Sequence, residues 1–262
     1  MPSPRSARPA GATSRHLADE PASEPPTGRP GIAIIPGGGS AGLNWCRTSG
    51  LLAATMLPVP DRPDVVGMAA ALADQVVALD EPRLLVGTAL GAMVAWELAA
   101  LVPVDGLVLI AAGFGITVEP SFLELASSDS PDVFEKLARV SLADRGDAEL
   151  ISICVRDWQT RGQATLVRHL SALSRYRPSP LRSPPPTTVV WGERDRAVPL
   201  ADHVALALQS RGVLAPVVGA GHMPFLERPA ETVSWIRRTA EWVESIGARA
   251  ATDHRRAGRS SR

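Results

Sequence analysis

Residues 83–99 read Arg-Leu-Leu-Val-Gly-Thr-Ala-Leu-Gly-Ala-Met-Val-Ala-Trp-Glu-Leu-Ala, and how they are read decides the fold. An apolar run of strand length stops at Gly87, and an Ala-rich run of helical composition restarts at Leu90. A chain that passes from strand to helix within one residue forces the pivot to positive φ. Both flanking turns then need residues with almost no side chain. Gly87, Gly91 and Ala92 meet that need. The layout is that of a G-x-S-x-G elbow, which lifts a serine hydroxyl above the end of a parallel sheet, except that the serine position holds Ala89.

Two more segments follow in order. Trp191-Gly192-Glu193-Arg194-Asp195-Arg196-Ala197-Val198-Pro199 ends a strand-like run in an acidic loop. Gly219-Ala220-Gly221-His222-Met223-Pro224-Phe225-Leu226-Glu227 carries a histidine after the last such run. On these three segments the chain resembles the α/β-hydrolase family from about Gly31 to Val243, with nucleophile position, acid and histidine in the family's order. The resemblance implies a mostly parallel central sheet with helices on both faces and a helical cap insertion. It also implies that Asp195 orients His222 as a general base. The backbone N–H of Leu90 and one from the loop holding Gly37 and Gly38 would form an oxyanion hole. In the family that loop often carries a His-Gly pair; here Pro36 stands in place of the His.

Outward from these motifs, the implied organisation is a core over 31–116 and 187–247, a cap over 117–186, and disordered tails over 1–30 and 248–262. The tails are rich in Pro, Ser, Ala, Gly and Arg and poor in residues that can bury surface. The first has no apolar central stretch for a signal peptide, and Asp19, Glu20 and Glu24 argue against a transit peptide. Strands are expected over Ile32–Ile35, Met56–Val59, Asp105–Ala112, Thr187–Trp191 and Val213–Val218. Helices are expected over Asp64–Leu79, Leu200–Gln209 and Ala230–Val243. Within the cap, helices are expected at Pro131–Leu142, Ala148–Trp158 and Gln163–Tyr176, with Phe122, Phe134, Trp158 and Tyr176 as candidates for lining a pocket. Cys154 and His169 also lie there, outside any motif.

The 262 residues carry 27 basic and 27 acidic side chains, a balance that offers nothing to nucleic acid or an acidic membrane surface. Lys136 is the only lysine. That bias fits a GC-rich bacterial genome. Cys46 and Cys154 cannot build a disulfide framework, so a reducing, cytoplasmic setting is expected. The five histidines are scattered in no metal-ligand spacing, and Pro36-Gly37-Gly38-Gly39-Ser40 lacks a Walker lysine or a G-x-G-x-x-G frame. Neither metal nor other cofactor is expected. The expected partner is a small-molecule substrate, and the oligomeric state is not legible.

Three functions remain open. Ala89 cannot attack a carbonyl, and Thr88 and Ser40 are poorly placed to replace it, so acyl-enzyme hydrolysis is excluded for this sequence. The first reading is nucleophile-free chemistry on a small organic carbonyl compound, ester or thioester-like: elimination, isomerisation or cofactor-free oxygenation, with His222 and Asp195 as the base and the oxyanion hole holding an enolate. The second is a serine esterase or thioesterase whose nucleophile is replaced by Ala89. The third is a catalytically inactive protein that binds a small molecule.

Overall fold

The computed structural model describes the backbone of residues 30–260 and side chains as far as Thr252. Six strands, β1 (Gly31–Ile35), β2 (Thr55–Met56), β3 (Arg83–Thr88), β4 (Gly106–Ile110), β5 (Thr187–Gly192) and β6 (Val213–Val217), form one sheet in the order β2-β1-β3-β4-β5-β6. Every pairing is parallel. Parallel strands are buried on both faces, which is why they read as continuous apolar runs rather than alternating ones.

The alternation appears instead in which core each side chain enters. Ile35, Leu85, Leu107, Leu109 and Val189 pack against α1 (Val65–Ala70), α2 (Ala73–Val77), α3 (Leu90–Leu101) and α8 (Leu200–Gln209). Ile34, Leu84, Val86, Val108, Ile110 and Val190 face the other way. They meet α10 (Pro229–Ser260) and residues of the segment between β4 and β5, which forms α4 (Pro120–Ser127), α5 (Val133–Ser141), α6 (Ala148–Arg161) and α7 (Gln163–Arg175). A short α9 (Pro224–Glu227) follows the last strand.

Several expectations need correction. The strand over Met56–Val59 shrinks to Thr55–Met56, because Pro58 and Pro60 have no N–H to donate to a ladder. The single helix over Asp64–Leu79 is two, broken between Ala70 and Ala73. The break turns Leu72 and Val76 into the same core as Val65, Met68 and Ala69. Helix α4 was not anticipated. It opens with Pro120 at its first turn, where a proline costs no hydrogen bond. The disordered tail over 248–262 does not hold through Ser260, since α10 continues to that residue. Ala and Arg are strong helix formers, and no proline interrupts the segment. The expected tail over 1–30 lies, up to residue 29, outside the described residues, as do residues 261 and 262. Among the described residues no helix is long and apolar enough to cross a membrane.

The tightest packing surrounds the turn between β3 and α3. A Cβ on Gly87 would fall 2.4 Å from the Gly91 carbonyl oxygen, and one on Gly91 would fall 2.1 Å from that of Ile35 and 2.5 Å from that of Pro36. All three obstacles are backbone and cannot swing aside. Gly91→Ala is therefore expected to destabilise the fold by about 3 kcal/mol or abolish folding. Gly50→Ala, where a Cβ meets nothing within 4 Å, is expected to stay within about 0.5 kcal/mol of the parent. Paired urea denaturation curves check both.

Candidate active site

Ala89 occupies the pivot with φ 47° and ψ −111°, a strained conformation that L residues rarely adopt. Its N–H donates to the Ile110 carbonyl at 2.9 Å, and its own carbonyl accepts from Ala92 and Met93 at 3.1 and 3.3 Å. These bonds hold the pivot between β4 and the first turn of α3. Leu90 opens that helix, and among the described residues its N–H has no acceptor. A first-turn donor without a partner is the usual state of a helix N-terminus, and it suits an anionic oxygen.

The glycine loop after β1 faces this end. A Cβ on Gly37 would lie 4.0 Å from the Ala89 Cβ, and one on Gly38 would lie 3.8 Å from the Leu90 side chain. The Gly39 N–H is already committed, donating to His169 Nδ1 at 3.0 Å, and Ser40 N–H bonds back to the Gly37 carbonyl at 3.2 Å. The N–H groups of Gly37 and Gly38 have no acceptor among the described residues. Of the three glycines in this loop, Gly39 is thus removed as a free donor.

The acid and histidine loops interlock. A Cβ on Gly192 would fall 2.0 Å from the Gly221 carbonyl oxygen, so the two loops touch backbone to backbone. The Asp195 side chain is fully buried. Its Oδ1 accepts the N–H groups of Ala197 and Val198 at 2.8 and 3.1 Å, and its Oδ2 takes His222 Nδ1 at 2.9 Å. An ionised carboxylate can only accept, so Nδ1 carries the hydrogen and Nε2 is left as the lone-pair nitrogen. Asp195 does not cap α8, whose N-cap is Pro199. Burial works against the charged form of both groups, yet their mutual attraction and hydrogen bond prevail. The Asp195 carboxyl is held below the usual carboxylate range and the His222 ring above the usual imidazole value.

Glu227 fixes the histidine loop. One oxygen accepts from Gly221 and Met223 at 2.9 and 3.2 Å, flanking His222, and the other accepts from Ala143 at 2.8 Å. Burial raises its pKa, and the three N–H donors oppose that rise. Met223 Sδ also touches Cys154 Sγ at 3.4 Å. Burial pushes the Cys154 thiol up to about 12, leaving it inert as a nucleophile.

Around these groups lies a cavity of 490 Å³. Gly37, Gly38, Ala89, Leu90 and His222 line its sheet side, and Phe122, Leu125, Trp158, Leu166 and Leu170 line it from the inserted helices. Asn44, Ser40 and Thr88 supply a few polar atoms. Of the four aromatics named from sequence, Phe122 and Trp158 reach the cavity. Phe134 packs on Trp158 with ring centroids 6.3 Å apart, and the Tyr176 hydroxyl donates to Glu97. A concave, largely apolar space with one lone-pair imidazole nitrogen and unpaired N–H donors can bind a carbonyl compound and move a proton beside its oxygen. Among the described residues no three His, Cys, Asp or Glu side chains group as metal ligands.

Glu227, Asp157 and His169 escaped sequence reasoning as loop anchors. The only signal was a polar residue within a mainly apolar run, for Glu227, or a mainly apolar helical stripe, for Asp157 and His169. Asp157 Oδ1 accepts from Ala41 and Leu43 at 3.0 and 2.8 Å, across more than a hundred residues of sequence.

A family model described as the alpha/beta hydrolase family matches residues 32–235. A thermophilic esterase structure is similar with a TM-score of 0.71 at 22% identity, covering 81% of this chain and 90% of that one. A thermophilic esterase from Thermogutta terrifontis, malate bound, gives 0.67 at 19%, covering 84% and 92%. The 2-hydroxy-6-oxo-6-phenylhexa-2,4-dienoate hydrolase from Rhodococcus sp. strain RHA1 gives 0.64 at 17%, covering 80% and 90%. At these identities the likeness is one of fold. No curated protein matched the sequence.

Removing the Asp195 charge leaves burial as the main influence on His222. In Asp195→Asn the His222 titration midpoint, followed by ring proton or nitrogen shifts in NMR, is therefore expected to fall from above to below the usual imidazole value.

Proposed function

The chain belongs to the alpha/beta hydrolase family, and from that premise we propose that it catalyses nucleophile-free chemistry on a small, partly apolar carbonyl compound. His222 acts as the base and the N–H groups of Leu90 and of Gly37 or Gly38 act as the oxyanion hole. The observation that carries this reading is the His222–Asp195 pair, bonded at 2.9 Å beside unpaired N–H donors and a pivot residue, Ala89, that has nothing to attack with. The substrate carbonyl oxygen lies against the N–H groups. Nε2 takes the proton from the adjacent carbon, the C–H electrons form the enolate C=C bond, and the carbonyl π electrons move onto the oxygen. Asp195 stabilises the imidazolium that results. Where a conjugated C=C extends the enolate, Nε2 returns the proton to the γ-carbon, an isomerisation; where the β-carbon bears a leaving group, the enolate electrons expel it, an elimination, and Nε2 gives the proton to the departing group. None of these steps calls on a side chain at position 89.

A second reading is favoured by one observation. Ala89 keeps a backbone conformation that costs on the order of 1–3 kcal/mol and whose value in an elbow is to present a side-chain hydroxyl. On that reading the site is built for a serine esterase or thioesterase, with Ala89 in the serine's place.

Two measurements separate these readings. Incubated in deuterium oxide with small ketones and β-dicarbonyl compounds, the chain is expected to exchange the acidic C–H at a rate that His222→Gln lowers by at least about 100-fold. The exchange needs the neutral imidazole, so its rate is expected to climb as pH rises through the His222 pKa, with a midpoint above the usual imidazole value. Lack of exchange at any pH removes the first reading. In Ala89→Ser, turnover of short activated esters with an acyl-enzyme burst is expected to exceed the parent by at least about 1000-fold. A serine variant without turnover would show that the pivot does not present its side chain to His222.

A further inference from the structure

We propose that His169, on the inserted helix α7, is a positioning residue for the reaction: by accepting the Gly39 N–H it fixes the loop whose neighbouring N–H groups face the substrate oxygen. The inference rests on the reading that the Gly37–Gly38 segment forms part of the oxyanion hole.

From its own side the loop is held by Ser40, whose N–H donates to the Gly37 carbonyl and whose hydroxyl donates to Asn44 and accepts the Gly42 N–H. The loop is glycine from residue 37 to 39, and Gly39 sits at φ +68°. Glycine at three consecutive positions gives the backbone wide freedom, which a donor of fixed geometry cannot tolerate. A second restraint comes from the insertion. A Cβ on Gly38 would touch His169 Cβ at 3.4 Å, and one on Gly39 would lie 2.8 Å from Leu166 Cβ, so the loop backbone lies directly on α7. At this contact His169 Nδ1 takes the Gly39 N–H at 3.0 Å. One helix away, Asp157 Oδ1 accepts the next odd-numbered donors, Ala41 and Leu43. Gly39, Ala41 and Leu43 are thus pinned by side chains of α7 and α6.

The tautomer shows what the imidazole is for. Because Nδ1 accepts, a neutral ring must carry its hydrogen on Nε2, which is buried beside the Pro60 carbonyl but outside good hydrogen-bonding geometry with it, a poorly paired donor that costs stability. A fully buried side chain of similar size without polar atoms would avoid that cost. The Gly39 bond is what only the polar ring supplies. Burial, helped by nearby Arg161, also pushes the ring's pKa down to about 4, so Nδ1 keeps its lone pair throughout the neutral range.

The bond can be read without any variant. In uniformly 15N-labelled protein, a through-hydrogen-bond coupling between the Gly39 amide nitrogen and His169 Nδ1 is expected; its absence under slow-exchange conditions overturns the assignment. Variants then test the consequence. His169→Leu removes the acceptor, whereas His169→Asn returns an oxygen near the Nδ1 position. In the otherwise unchanged chain, amide hydrogen exchange at Gly39 and its neighbours is expected to accelerate in His169→Leu and to recover in His169→Asn. In the Ala89→Ser background, kcat is expected to fall about 100-fold in His169→Leu, KM to stay within about threefold, and the Asn variant to regain most of the loss. Equal exchange and equal kcat in the Leu variant and its parent overturn the proposal. A fall in kcat that the Asn variant does not rescue, or one matched by a parallel rise in KM, assigns His169 a packing role and also overturns it. If Ala89→Ser turns nothing over, the serine-esterase reading fails by itself, and the coupling and amide-exchange measurements still decide whether His169 holds the loop.

Discussion

The contact on which the rest depends is the interpenetration of the β3–α3 turn with the end of β1. Gly91 lies so close to the carbonyls of Ile35 and Pro36, and Gly87 so close to Gly91, that no side chain fits at either position. That closeness forces the pivot into positive φ at Ala89 and starts α3 directly above the strand end. It also brings the N-terminus of α3 beside the glycine loop that continues β1. Two sets of unpaired N–H groups therefore meet at this end of the sheet, one set by tight backbone packing and the other by a loop that side chains of α6 and α7 also hold. The side chain at position 89 contributes none of it, which is why an alanine there leaves the donor arrangement whole.

A single electrostatic device organises the loops around that point. Asp195, Glu227 and Asp157 are each a buried carboxylate that accepts backbone N–H groups from a turn: two for Asp195, three for Glu227 and two for Asp157. A buried charge is costly in isolation, and several converging N–H donors offset much of that cost. The outcome differs with the partner. Only Asp195 bonds directly to a ring able to gain a positive charge, and only its pKa falls; burial dominates at Asp157 and Glu227 even with Arg161 and Arg228 nearby, and their pKa values rise. The loops are thus fixed by three similar anchors, of which one is also coupled to a group that can move a proton.

Legibility in the sequence followed the range of the interactions. The six strands and most helices could be read because their causes are local: apolar runs of strand length, glycine punctuation, helical periodicity. The elbow, the acid loop and the histidine loop were legible for the same reason, each being a short segment whose steric demands fall on neighbouring residues. Two errors of length came from weighing composition too coarsely, in β2, where prolines forbid the ladder, and in α10, where an Ala and Arg segment was read as tail. The anchors were not legible because their partners are distant. His169 reaches Gly39 across 130 positions and Asp157 reaches Ala41 across 116. Nothing within ten residues of either one announces the bond.

The division of labour between sheet and insertion follows from this. The sheet end holds His222, Asp195 and the α3 N-terminus in geometry set by tight backbone contacts, so its tolerance for change is small. The inserted helices supply the apolar wall of the cavity through Phe122, Trp158, Leu166 and Leu170, where side chains of different size can be exchanged more freely. The glycine loop belongs to both: it grows from β1 but is held by α6 and α7. Any change in how the insertion sits is therefore felt at the N–H groups of Gly37 and Gly38 as well as in the shape of the cavity. On the proposed reading, substrate fit and stabilisation of negative charge on its oxygen are linked through one short segment, and the histidine loop is tied to the same insertion, with the His222 N–H donating to the Ser141 carbonyl at 2.9 Å and Glu227 accepting the Ala143 N–H at 2.8 Å.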